Sequence, residues 1–193
     1  MPHPDLDPDK RYTYADYYSW DDDKRWELID GKLHHLSSSP GTRHQRVLGG
    51  LSCQFGKLKI SGINLLHAPF DVCFVPGVGS ADNEIQTVVQ PDLLVVLDKN
   101  KFEERCCMGV PDLLVEVLTK ESAAHDLKTK YELYQRYGVK EYWIVHPNDQ
   151  TVLVFKLGED GMYGRAAMYT ASDVVPVPLL GDLTIDLNEV FAE

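Results

Sequence analysis

Two short apolar runs of this chain carry carboxylates where a core does not normally hold them. In Asp112-Leu-Leu-Val-Glu116-Val-Leu-Thr119, a strand would place Leu114, Glu116 and Leu118 on one face and Leu113, Val115 and Val117 on the other. Glu116 therefore brings a charge into a buried run on either assignment, and an unpaired carboxylate there is costly enough to require a metal ion or a cation. Asp112 is no partner for it on a shared ion, because same-face residues four apart on a strand are separated by roughly 13 Å. Asp92 is a candidate. It stands at the mouth of the preceding run, and if the two strands pair, both carboxylates can converge on a divalent cation at the about 2.0–2.1 Å that Mg²⁺ prefers.

Downstream, Asp126 and Lys130 lie one helical turn apart. Two readings stay open: a surface ion pair worth a few tenths of a kcal/mol, or a lysine reaching back over the sheet to the metal site. There its ammonium would stabilise charge on a phosphoryl oxygen or orient the attacking water. His44, near the start of a helix, can be solvated, bonded locally, or engaged in phosphate contact or base positioning. His34 and His35 are adjacent on a strand and point to opposite faces, which argues against a hydrolase built on that pair. Tyr131, Tyr134, Tyr142 and Trp143 read as packing or site-wall residues.

The elements that must hold these residues follow from periodicity. Thr13 and Asp16 can cap a short aromatic helix (Tyr14, Tyr17, Tyr18, Trp20) ending at the run Asp21-Asp22-Asp23. Residues 25–36 form a hairpin over Asp30-Gly31, with Glu27 on the incoming strand. Val47, Leu48, Leu51, Phe55 and Leu58 recur at helical spacing across 42–59, a helix that covers one sheet face. A strand over 63–75, a loop over 76–83, buried strands at 93–97 and 113–118, and a charged connection over 98–109 come after it. Ser122 opens a helix that runs to Tyr137 and stops at Gly138; a strand over 141–146 comes next. A hairpin of 152–157 with 163–169 and a tail ending in a helical turn near Phe191 complete the chain. The order predicts an α/β domain, an α+β mixed sheet flanked by helices.

The 193 residues, 44% of them apolar, suffice for one domain over 12–193 behind a flexible N-terminal segment 1–11. Four cysteines without paired spacing support neither a zinc ribbon nor a disulfide scaffold. No targeting or membrane-spanning stretch is evident, so a cytoplasmic location is expected. A net charge of −11 argues against a protein that coats nucleic acid non-specifically. Lys120, Lys128, Lys130, Arg136 and Lys140 nonetheless crowd one segment and could form a local basic face.

The strings QPDLLVVLD, GVPDLLVEVLT, Asp126-x-x-x-Lys130-x-x-x-Tyr134 and GVKEYWIV, preceded by WELIDGKL and His44, together resemble the Uma-type restriction endonucleases, a bacterial, cyanobacteria-rich branch of the PD-(D/E)xK superfamily. The resemblance covers residues 12–190. It implies a restriction-endonuclease-like core with Asp92 and Glu116 as the metal-binding carboxylates, Glu27 as a further acidic residue of the site, and Lys130 as the catalytic lysine. The superfamily pattern sets lysine two residues after the glutamate, where this chain has Leu118. The lysine is therefore expected on the next helix, at Lys130 first and Lys128 second. The activity that the resemblance implies is Mg²⁺- or Mn²⁺-dependent hydrolysis of a phosphodiester in nucleic acid, DNA rather than RNA, by water activated on the metal. A homodimer would suit cleavage of both strands of a duplex. The competing expectation is a catalytically silent binding or assembly module that keeps the same fold.

Overall fold

The computed structural model describes residue 7 and residues 9–20, 24–36, 40–57, 63–75 and 79–192. The expected helix end at Asp21-Asp22-Asp23, the helix tail at Leu58 and Lys59, the first part of the 76–83 loop and most of the expected flexible segment 1–11 lie outside the described residues.

Helix α1 (Tyr14–Tyr18) is capped as its sequence requires, with Thr13 N–H donating to the Asp16 carboxylate at 3.0 Å and the Thr13 hydroxyl accepting from the Asp16 amide. Strands β1 (Trp26–Ile29) and β2 (Lys32–His35) form the expected hairpin. Asp30 and Gly31 turn it with φ of 52° and 75°, the left-handed backbone that Asp-Gly adopts readily. Helix α2 (Thr42–Phe55) stops at Gly56 and buries Val47, Leu48, Leu51 and Phe55. Each such side chain contributes about 1.5–3 kcal/mol by leaving water.

The single strand expected over 63–75 is two, β3 (Asn64–His67) and β4 (Asp71–Cys73), and they enter different sheets. Pro69 between them has no N–H to give a ladder, so the run breaks there. Next come β5 (Val88–Val89) and β6 (Leu93–Val96). The connection 98–109, read as irregular, contains β7 (Cys106–Met108), too short to register as a strand amid charged neighbours. After it come β8 (Leu113–Val117), a wide π-helical stretch His125–Lys130 leading into α3 (Tyr131–Tyr137), and β9 (Glu141–His146). Gly138 ends α3 at φ 80°, a left-handed cap. The closing hairpin pairs β10 (Thr151–Lys156) with β11 (Ala167–Thr170); Tyr163 meets Leu157 only in an isolated bridge. Strands β12 (Val174–Pro176) and β13 (Thr184–Asp186) and helix α4 (Leu187–Val190) finish the chain.

The large sheet has the order β11-β10-β9-β8-β6-β3, with only β8 and β9 parallel; the smaller one runs β2-β1-β5-β4-β7. One face of the large sheet (Val115, Val117, Trp143, Val145) packs on α2 and the C-terminal elements. Its other face (Leu114, Tyr142, Ile144) packs on α3 and on Val72, Phe74 and Val89 of the small-sheet segments. Gly50 lets α4 lie against α2, since a Cβ there would stand 2.8 Å from the Val190 carbonyl oxygen. The result is a mixed α+β architecture with helices on both faces of the large sheet, as expected.

Candidate active site between the two sheets

Strands β6 and β8 are antiparallel, with Leu93 opposite Val115 and Leu94 opposite Leu114. Continuing that register by one residue sets Asp92 directly across from Glu116, the convergence the two apolar runs require. Both face a cleft of about 390 Å³ that Arg25, His34, His44, Gln90, His125 and Lys130 also line.

Lys130, 3% exposed, is the hub. Its Nζ donates to Glu116 Oε1 at 2.8 Å, lies 2.9 Å from Glu27 Oε1 and 3.7 Å from Asp126 Oδ1. The Asp126–Lys130 pair is thus no surface ornament: both residues are buried and turned to the sheet. Lys128, the second choice for the lysine, is exposed and does not line the cleft; two residues along a helix point to opposite sides.

Glu27 accepts three donors, adding the Gln90 amide on Oε1 at 2.8 Å and His125 Nε2 on Oε2 at 3.2 Å. Burial opposes its ionisation, yet Lys130, His125 and the Gln90 N–H together hold its carboxyl down at about 2. Glu116 accepts from Lys130 and from the Tyr134 hydroxyl at 2.9 Å. Burial first, then the neighbouring Asp126, Asp92 and Glu27 charges, push its carboxyl well up against the pull of Lys130. Asp126 is raised likewise by burial and by Glu27 and Asp92, against Lys130 and a Ser122 hydrogen bond. One ammonium serves several carboxylates, and Glu27, with the fuller set of donors, keeps its charge most firmly.

Asp92 is fixed by the Val117 amide, which donates to Oδ2 at 2.8 Å, and stands 3.1 Å from His44 Nε2. His44, in the first turn of α2, thus lies within hydrogen-bond distance of Asp92 rather than in solvent, and its Nδ1 is buried without a partner. Among the described residues, no donor reaches Asp92 Oδ1 or Glu116 Oε2. Those two oxygens are hard donors on facing strands, the set that suits Mg²⁺ or Mn²⁺, an ion that keeps water and takes only one or two carboxylates from the protein. No three His, Cys, Asp or Glu side chains among the described residues are grouped to hold an ion by themselves.

Sequence reasoning missed His125 for a geometric reason. On an α-helix, residues 125 and 130 would stand about 140° apart and could not reach one carboxylate. The i→i+5 bonding of the π-helical stretch widens the turn and brings both onto Glu27. Gln90 went unnoticed because its contribution to Glu27 is a backbone amide, which no side-chain pattern records.

The crowded basic segment does not form one basic face. Lys130 is buried in the site, Arg136 pairs with Asp30 at 2.8 Å and Lys140 with Asp112 at 2.7 Å, leaving Lys120 and Lys128 exposed. Among the described residues no helix is long and apolar enough to cross a membrane.

Residues 14–188 match the Uma2 family model, described as "Putative restriction endonuclease". An uncharacterised protein of Synechocystis sp. (strain ATCC 27184), slr1290, is 23% identical over 188 residues, which span 93% of this chain and 88% of that protein. The crystal structure of a putative nuclease belonging to DUF820 from Anabaena variabilis ATCC 29413 superposes with a TM-score of 0.69 at 16% identity, covering 93% of this chain and 97% of that one.

Proposed function

This chain belongs to the Uma2 putative restriction endonuclease family, and from that premise we propose that it is a cytoplasmic, Mg²⁺- or Mn²⁺-dependent endonuclease that hydrolyses phosphodiester bonds of DNA, acting as a homodimer on duplex substrate. The observation that carries the reading is the facing of Asp92 and Glu116 across β6 and β8, each with one oxygen open to the cleft and with Lys130 and Glu27 alongside.

Asp92 and Glu116 would hold the ion. Bound there, it supplies Lewis-acid stabilisation of phosphoryl charge and eases deprotonation of water near neutral pH. The protein's own groups do the rest. The Val117 amide and His44 fix the Asp92 carboxylate in one orientation. Lys130 brings a buried positive charge to the place where a phosphoryl group gains negative charge, and burial strengthens the action of that charge. Its contact with Asp126 is the longest of its three, so that is the one a phosphate oxygen would displace. Glu27 keeps the ammonium aimed into the site, and Tyr134 fixes the Glu116 carboxylate.

A second reading, a catalytically silent module of the same fold, draws on the closeness of Lys130 to both Glu27 and Glu116, which already neutralises part of the acidic cluster. Titration calorimetry with Mn²⁺ separates the two. The wild type should bind, and a folded Asp92→Ala, Glu116→Ala double variant should not. Failure of the wild type to bind with a DNA duplex present would favour the silent module.

A further inference from the structure

The cleft holds an imidazole that the carboxylate–lysine scheme does not use. His125 sits 3.2 Å from Glu27 through Nε2, and its side chain is 21% exposed. Because Glu27 is an ionised, fully buried carboxylate, it can only accept, so Nε2 carries the hydrogen and the tautomer is set. Among the described residues Nδ1 has no hydrogen-bond partner and is not sealed off, which leaves it the free nitrogen of a carboxylate-backed imidazole beside the cleft. The His34 ring lies against it at 5.0 Å and 35°, brought there because His34 pairs with Glu27 across the β1–β2 hairpin. Burial and the neighbouring His125 lower the pKa of His34, so the ring packed on His125 is a neutral wall that adds no competing charge. Other charged groups facing this corner are Lys130 and Asp126, on the same helical stretch, Lys32 on β2, and Glu121 at the cleft wall.

We propose that His125 is the general acid of this site, giving its Nδ1 proton to the alkoxide that leaves when the phosphodiester is cut. The inference rests on the nuclease reading above. In the step, the oxygen of water bonds to phosphorus, the bond from phosphorus to the leaving oxygen breaks, and that oxygen takes the Nδ1 proton to become an alcohol. The proton lost by the attacking water passes to solvent, and His125, reached through the open cleft, takes one back. Glu27 accepts the Nε2 hydrogen and keeps the ring aimed, the positioning role a carboxylate plays behind a catalytic histidine. An alkoxide needs this help, because an aliphatic alcohol is about as weak an acid as water, whereas a thiolate does not, since a thiol ionises at about pH 8.5.

That difference supplies the test. Wild type, His125→Ala and His125→Gln, the last retaining a polar partner for Glu27, are compared in Mn²⁺ on a DNA duplex and on the same duplex with sulfur in place of the bridging oxygen at the mapped cut. Both variants should cut ordinary DNA about 10²–10⁴-fold more slowly and the sulfur-bridged duplex at close to the wild-type rate. An equal loss on both substrates in a variant with wild-type circular dichroism overturns the assignment and makes His125 a support for Glu27. No loss on ordinary DNA overturns it too. A wild type that leaves both duplexes intact overturns the nuclease reading itself.

Discussion

Asp92 and Asp112 each follow a proline, each precede one of two paired apolar strands, and each accept a backbone N–H from just beyond or at the far end of the partner strand. Val117 donates to Asp92 Oδ2 at 2.8 Å, and Leu97 donates to Asp112 Oδ2 at 2.9 Å. Antiparallel pairing puts the two aspartates at opposite ends of the same ladder. What separates them is the second neighbour. Asp112 is closed by Lys140, whose ammonium reaches it from solvent at 2.7 Å, and is 5% exposed. Asp92 meets His44 instead, is 21% exposed, and looks across at Glu116 within a cleft crowded with further carboxylates. One local motif thus serves as a sealed strand end at one pole and as an open carboxylate at the other; the second neighbour and the cleft beside it decide which.

The contrast can be broken most directly at the two lysines. Lys130→Met leaves Glu27, Glu116 and Asp126 without their shared cation, and chemical denaturation should register a loss of about 3–5 kcal/mol. Lys140→Met removes a half-exposed ammonium that water replaces, for about 1 kcal/mol or less. Equal losses would mean that Lys130 is as loosely engaged as a surface pair. Next in size is the pair of aspartates. Asp92→Asn should slow Mn²⁺-dependent DNA cleavage by about 10²–10³-fold, the scale for removing one electrostatic contributor. Asp112→Asn should leave the rate per folded molecule unchanged while lowering stability by about 1–3 kcal/mol; cleavage assays that rank the two the other way would dissolve the distinction.

A smaller effect sharpens the comparison within the cleft. The Glu27 carboxyl is held at about 2, below its ordinary 4.5, so the folded state binds that proton less readily than the unfolded chain. The resulting stabilisation is present above pH 4.5 and is lost as pH falls from there toward about 2. Glu27→Gln should therefore cost about 3 kcal/mol at pH 7, with the difference from wild type shrinking through that acid window in pH-dependent unfolding. A difference that stays constant with pH would assign the loss to packing rather than to charge.

Glu116 stood out in the sequence because a charge inside an apolar run needs a reason, Asp92 because it opens the neighbouring run, and Asp126 with Lys130 as a helical pair; Glu27 was pointed to by the resemblance alone. The hairpin with its Asp-Gly turn, helix α2 and strands β6, β8 and β9 could be read from periodicity and caps for the same reason: each is set by its own residues. Part of what escaped depends on partners distant in sequence. Strand β7 forms because β4 lies beside it, with Val72 opposite Cys107, and not because Cys106–Met108 is a strong strand former. The break at Pro69 was written in the sequence and was outweighed by the apolar residues around it. The contact of His125 with Glu27 required a helical bonding pattern that residue types do not announce.

That widened turn carries a consequence for variation. Asp92 and Glu116 are tied to each other by strand register, so neither can move without slipping every side chain of its strand to the wrong face. His125 and Lys130 are tied to Glu27 only through the phase of one helical turn. A chain lacking a single residue in that turn would return it to ordinary helical spacing and keep either the imidazole or the ammonium on Glu27, but not both. The acidic frame and its cationic complement are therefore separately mutable parts, one locked by the sheet and the other adjustable by single insertions and deletions.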